Sequence, residues 1–161
     1  YNSMTRDFIN RYKDTKNFRV YKYDGYFACV SSLADYFRCS MEQITDDNAR
    51  KSLFDVPNRP VYTKVRNSTP TYYSETSNVK NSMIADGCVI EGNVKNCILF
   101  RGVRVGKGAM LENCIVMQGS EIGNNAELKY VTIDKEASVG ANRQLCGAPS
   151  YHIFIKKGAN V

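Results

Sequence analysis

The sequence predicts a mainly β protein: a parallel β-helix of hexapeptide repeats over residues 72–161, preceded by a small α/β segment (1–45) and a linker (46–71). Three observations carry this. The segments Asn81-Ser82-Met83-Ile84, Asn96-Cys97-Ile98-Leu99, Asn113-Cys114-Ile115-Val116 and Tyr130-Val131-Thr132-Ile133 recur at steps of 15, 17 and 17 residues. A second column, Ile90-Glu91, Val105-Gly106, Ile122-Gly123 and Val139-Gly140, keeps the same steps. Within each period large aliphatic residues fall about six apart, from Ile84 and Ile90 to Ile133 and Val139, and a small or slim residue precedes most of them by two, as Cys97, Val103, Ala109, Cys114, Ser120 and Ala126 do. Residues two apart on a strand share a face, so each pair points inward together, and three short strands make a coil of about 18 residues. A β-sandwich also alternates, but it has no reason to hold one phase through three steps.

Along the chain, Phe18 to Val30 reads as two strands around the turn Asp24-Gly25. A helix follows, with Ser32 as its cap, Asp35 three residues on, and Leu33, Tyr36, Phe37, Met41 and Ile44 as an apolar stripe at helical spacing. The linker, broken by Pro57, Pro60 and Pro70, is expected to hold one short helix and one strand, Val61 to Arg66. About 44 residues of strand and helix are too few for an independent domain, so this first part is expected to be the tail of something larger. In the repeat, Asp86-Gly87, Gly106-Lys107-Gly108 and Gly123-Asn124-Asn125 suit the left-handed backbone of tight corners, and a step of 17 means that one corner per coil is a residue short.

Composition narrows the function. The 161 residues are 43% hydrophobic and 24% charged, which supports a packed core and excludes a disordered chain. The net charge of +6 divides into +4 over residues 1–70 and +2 over 71–161, and no basic run exceeds Lys156-Lys157 or Arg50-Lys51. That spread argues against nucleic acid as a partner. No apolar run approaches the ~20 residues of a membrane helix, so no membrane partner and a cytoplasmic location are expected. The six cysteines form no C-x-x-C pair and read as reduced thiols.

Two stretches resemble a known family. Gly25-Tyr26-Phe27-Ala28-Cys29-Val30-Ser31-Ser32-Leu33-Ala34-Asp35-Tyr36-Phe37 is similar to the G-Y-W-x-D-V-G-T-x-x-x-Y-[WF] segment that closes the catalytic domain of sugar-nucleotide pyrophosphorylases. Residues 81 to 123 resemble the carboxyl-terminal β-helix of the glucose-1-phosphate adenylyltransferases (ADP-glucose pyrophosphorylases) of bacterial glycogen synthesis. The resemblance implies a left-handed helix, and makes residues 1–45 the closing piece of a nucleotidyltransferase domain. Two departures matter. The family's glycine-rich nucleotide loop does not occur in these residues, so the chain is expected to be a carboxyl-terminal fragment without its own catalysis. The family's metal-holding aspartate falls at Cys29, and a thiol does not replace a hard carboxylate for Mg²⁺. The resemblance therefore implies a regulatory-type subunit with no cofactor of its own, Mg²⁺ being expected only in a catalytic subunit. It implies a homo- or hetero-oligomer with adenylyltransferase subunits, serving assembly and allosteric control.

The family binds phosphorylated metabolites through Arg and Lys, which makes Arg101, Arg104, Lys107, Arg143, Lys156 and Lys157 the candidate effector cations. The competing enzyme reading is a hexapeptide acyltransferase whose base is His152, the single histidine. Cys97 and Cys114, one coil apart, read as small core residues before a redox pair, and Gly106-Lys107-Gly108 reads as a corner before a phosphate loop. With Ile84, Leu99, Val116 and Ile133 facing in, Met83, Ile98, Ile115 and Thr132 face out as one apolar column flanked by Phe100 and Met117. Such a stripe marks an interface, so Met83, Ile98, Phe100, Ile115 and Met117 are expected to meet a neighbouring subunit or the catalytic domain.

Overall fold

The computed structural model describes residues 2–161. From Tyr72 onward the chain winds into a parallel β-helix of three sheets. Sheet A holds β1 (Tyr72–Tyr73), β4 (Val89–Ile90), β7 (Arg104–Val105), β10 (Glu121–Ile122) and β13 (Ser138–Val139). Sheet B holds β2 (Asn78–Lys80), β5 (Asn93–Lys95), β8 (Met110–Glu112), β11 (Glu127–Lys129) and β14 (Gln144–Cys146). Sheet C holds β3 (Met83–Ile84), β6 (Ile98–Leu99), β9 (Ile115–Val116), β12 (Val131–Ile133) and β15 (Ile153–Ile155). Each strand pairs in parallel with the strand one coil away, in the register that the repeat demands: Met83 with Ile98, Ile98 with Ile115, Ile115 with Thr132.

The inward pairs form one core. Val103/Val105, Ala109/Leu111, Cys114/Val116, Ser120/Ile122 and Ala126/Leu128 are all buried, the small member sitting where the coil turns. The inward residues Val105, Leu111, Val116 and Ile122 advance by six, five and six. The short side passes through Asn113, at φ 53, and Asn81, Asn96 and Tyr130 hold the same left-handed corner in the other coils. Asparagine tolerates this conformation, and here it also stacks: the Asn81 amide Nδ2 donates to Asn96 Oδ1 at 2.9 Å, and Asn96 Nδ2 to Asn113 Oδ1 at 3.3 Å. The single 15-residue step has a different cause. Between β4 and β5 the corner loses two residues at Glu91-Gly92, where a Cβ on Gly92 would come within 2.5 Å of the Ala109 carbonyl oxygen.

The first part of the chain departs from its expected strands. After a π-helical turn (Met4–Ile9) and α1 (Asn10–Tyr12), residues 18–30 run without a strand, and so do residues 61–66. Two short strands are marginal without a third to pair with, and nothing here supplies one. Val20 is 98% exposed and Phe27 79% exposed, so the apolar pattern that suggested strands is present but unpaired in this chain. The helices do form. In α2 (Leu33–Thr45) the Ser32 hydroxyl accepts from the Asp35 amide at 3.0 Å, and in α3 (Asp47–Phe54) the Asp46 carboxylate accepts from the Asn48 amide at 2.8 Å.

Within the apolar column of sheet C, α2 covers Ile115 and the margin of Ile98, which corrects their reading as a subunit interface, while Met83 and Phe100 stay exposed. The stripe Phe37, Met41 and Ile44 of α2 packs on Ile115, with Tyr36, Ile98 and Tyr130 at the margin. Ile115 is 0% exposed although it points away from the β-helix core. An amphipathic helix and an apolar sheet face each need a partner, and lying in one chain they satisfy each other.

Candidate functional site

The faces of the β-helix differ in kind. Sheet B presents a charged ladder that neutralises itself: Lys95 Nζ lies 2.6 Å from Glu112 Oε1 and Lys129 Nζ 3.0 Å from Glu127 Oε1. The hydrogen bond from Lys95 holds the Glu112 carboxyl below the usual carboxylate range.

Sheet A is bordered by the candidate cations. Arg101, Lys156 and Lys157 stand on the corner that leads from sheet C into sheet A, Arg104 lies on β7 itself, and Lys107 and Arg143 stand on the corner that leads out toward sheet B. They do not converge on one point. Arg101 and Lys157 occupy one corner column three coils apart, through the pairs Gly119 N to Arg101 O, Glu136 N to Gln118 O and Gly158 N to Lys135 O, which is about 14 Å at ~4.8 Å per rung. Three already have partners: the Arg101 guanidinium donates to the Lys64 carbonyl at 3.1 Å, Arg104 lies 3.8 Å from Glu121, and Lys157 lies 3.5 Å from Glu136. The arrangement spreads these cations along the edges of one face, interleaved with Glu91, Glu121 and Glu136.

The second constellation lies where α2 crosses sheet C. Tyr130 takes the corner position that asparagine holds in the preceding coils, at φ 51, and its ring lies 6.4 Å from Phe37. His152 stacks on Phe37 with ring centroids 3.8 Å apart at 27°. Packing on Phe37 of α2 accounts for this histidine. Beside the stack is an open cavity of about 500 Å³ whose charged lining is Asp35, Arg38 and Glu42. Arg38 bridges 2.7 Å to Glu42 and 3.7 Å to Asp35, so its charge is engaged within α2. Hydrogen bonds from Ser31, then from Ser32, hold the Asp35 carboxyl below its ordinary value. Tyr26 donates to Glu42 at 3.1 Å and accepts from Gln43 Nε2 at 3.2 Å, fastening the preceding segment to the helix. Sequence reading missed this cluster; its one signal was the tyrosine that breaks an asparagine column.

Of the thiols, Cys88, Cys97 and Cys114 are buried in the β-helix core, Cys39 is buried on α2, and Cys29 and Cys146 are exposed. Burial pushes the Cys114 thiol well above its ordinary range. Among the described residues no three His, Cys, Asp or Glu groups are placed to hold a metal ion, and an exposed thiol at Cys29 does not fit a hard cation such as Mg²⁺. Among the same residues no helix is long and apolar enough to cross a membrane.

Parallel coils, six-residue sides and paired inward residues define a hexapeptide-repeat β-helix protein. Residues 67–149 match the family described as GlmU-like, C-terminal hexapeptide, and the chain belongs to that family. It is 49% identical over 92 residues to the glycogen biosynthesis protein GlgD of Bacillus subtilis, covering 57% of this chain and 26% of that protein. Geobacillus stearothermophilus GlgD is 44% identical over 114 residues, covering 56% of this chain and 33% of that protein. The glucose-1-phosphate adenylyltransferase of the same organism is 36% identical over 93 residues, covering 58% and 24%. The chain thus spans about a quarter to a third of the length of these relatives.

Proposed function

We infer that this chain is the carboxyl-terminal β-helix portion of a glucose-1-phosphate adenylyltransferase-type subunit acting in glycogen biosynthesis, of the regulatory and not the catalytic kind. The observation that carries this is the 49% identity to GlgD against 36% to an adenylyltransferase over stretches of nearly equal length. Cys29, standing where the family's metal carboxylate is expected, supports the same side of that division. The role of the β-helix is then mechanical: a rigid coil that holds α2 on one face and offers its cation-bordered face to adenylyltransferase subunits or to a phosphorylated effector. Sheet A supports that role because α2 lies on sheet C at Ile115 and Lys95 and Lys129 of sheet B are paired with Glu112 and Glu127.

The test is enzymatic. Purified chain incubated with ATP, glucose 1-phosphate and Mg²⁺ forms no ADP-glucose on this reading, and Cys29→Asp does not restore it. ADP-glucose formation by the chain alone overturns the regulatory assignment. Acetyl transfer from acetyl-CoA that is lost in His152→Ala would instead establish the acyltransferase reading, which the stacking of His152 on Phe37 disfavours.

A further inference from the structure

Among the described residues, the shallow groove along sheet A is walled by the coils alone, between Val89 and Ala141. Its outward column, Val89, Arg104, Glu121 and Ser138, stands in register one coil apart. The two central members are opposite in sign and barely engage each other: Arg104 Nε lies 3.8 Å from Glu121 Oε1, and each side chain is 65% exposed. A pair this long and this well solvated contributes little to the fold. Gly102 and Gly119 come two residues before these charges and Gly106 and Gly123 two residues after, so both side chains stand between residues that have none.

The order of the column decides what fits it. If the face meets a second copy with coil axes parallel, each strand opposes itself, Arg104 against Arg104 and Glu121 against Glu121. With the axes antiparallel the column runs in reverse. A two-fold axis along the strands, midway between β7 and β10, then sets Arg104 on Glu121 of the second copy, Glu121 on its Arg104, and Val89 on its Ser138. Moved onto β7 or β10, the same axis brings like charges together; moved a whole coil, it leaves Arg104 opposite Val89 or Glu121 opposite Ser138. The neighbouring corner column obeys the same inversion. Gly102 N donates to Asp86 O, Gly119 N to Arg101 O and Glu136 N to Gln118 O, which stacks Asp86, Arg101, Gln118 and Lys135 one per coil and sets Asp86 against Lys135 of the second copy. A patch that meets its own copy with unlike charges in two columns has the form of an isologous contact. We propose that sheet A packs face to face on sheet A of a second copy, coil axes antiparallel, with Arg104 and Glu121 of both copies forming one four-charge network. The inference rests on the reading of sheet A as an assembly face and names its partner. The overlap is four coils tall, about 14 Å, so the contact is of the small, transient class and weakens with salt.

Sedimentation velocity of the chain alone, from roughly 10 to 500 µM at low salt, is expected to show a reversible monomer–dimer equilibrium that retreats toward monomer at high salt. Arg104→Glu and Glu121→Arg each set like charges across the contact twice, and each is expected to weaken association at least tenfold. Mixed one to one, the two single variants are complementary and regain it; so does the chain carrying both changes, in which the charges have only exchanged places. A chain that stays monomeric over the whole range overturns the proposal without appeal to any variant. A dimer that both single variants leave intact overturns it by assigning association to another surface, and a mixture no stronger than its components overturns it as well. The measurement contains no adenylyltransferase and no effector. A monomeric chain that still shifts the rate of an adenylyltransferase therefore refutes this partner and spares the proposed function, and a dimer without such an effect does the reverse.

Discussion

Replacing Ile115 by alanine separates the two structures that meet at sheet C. The side chain is fully buried, yet it points outward and is held by Phe37, Met41 and Ile44 of α2. Truncation removes three carbon groups at ~0.8 kcal/mol each plus a cavity cost, giving about 3 kcal/mol. That loss falls on docking of the helix and not on the coil, because the inward neighbours Cys114 and Val116 keep their packing. At about 1.4 kcal/mol per decade, the opening equilibrium of α2 shifts by roughly 100-fold. Hydrogen exchange read by mass spectrometry over residues 33–45 should show protection falling by about that factor, while peptides spanning β9 and β12 change little. Equal loss along the β-helix would place Ile115 in the core. No loss at α2 would mean that the helix does not rest on this face. The Ile98→Lys and Ile115→Lys pair, which an exposed column would tolerate, is expected to release α2 and expose its apolar stripe.

Other consequences follow from particular residues. Ser32→Ala removes the cap of α2 and should cost about 1 kcal/mol, read as lower helix protection in the same experiment. The Asp35 carboxyl is held low by hydrogen bonds from Ser31 and Ser32, so its contribution is complete above the unfolded-state value of about 4 and is lost as pH falls through the lowered folded value; exchange at α2 should rise on acidification over that range and stay flat in Asp35→Asn. Gly92→Ala forces a Cβ against the Ala109 carbonyl and should lower the thermal midpoint far more than Gly102→Ala, whose Cβ meets nothing within 4 Å and bears only the cost of its φ of +69°. Thiol titration of the native protein should give two fast groups, Cys29 and Cys146, with Cys39, Cys88, Cys97 and Cys114 reacting only on unfolding.

What the sequence disclosed and what it hid follow one physical line. A coil repeats, so each inward pair such as Cys114/Val116 states its geometry again one turn later, and the register was legible to the residue. The capping of α2 was legible because Ser32 and Asp35 act over one turn. The docking of α2 was not: the stripe Phe37, Met41, Ile44 and the column Ile98, Ile115 were each visible, but nothing local states that one chain supplies both halves of a contact about 75 residues apart. The same limit applies to residues 18–30, whose alternation is real but whose pairing depends on a third strand. At the candidate site, the six cations were found one at a time by residue type, and only the winding of the chain places them along the border of a single sheet.

The proposed assignment is most directly tested by titrating this protein into a glucose-1-phosphate adenylyltransferase from the same source and recording the rate of ADP-glucose synthesis across a range of effector concentration. The account predicts a saturable, stoichiometric shift in rate or in effector dependence, weakened when Arg104 and Lys107 on the sheet A border are changed to glutamate. An unchanged rate and an unchanged effector curve at every ratio, with the two proteins sedimenting separately, would contradict it.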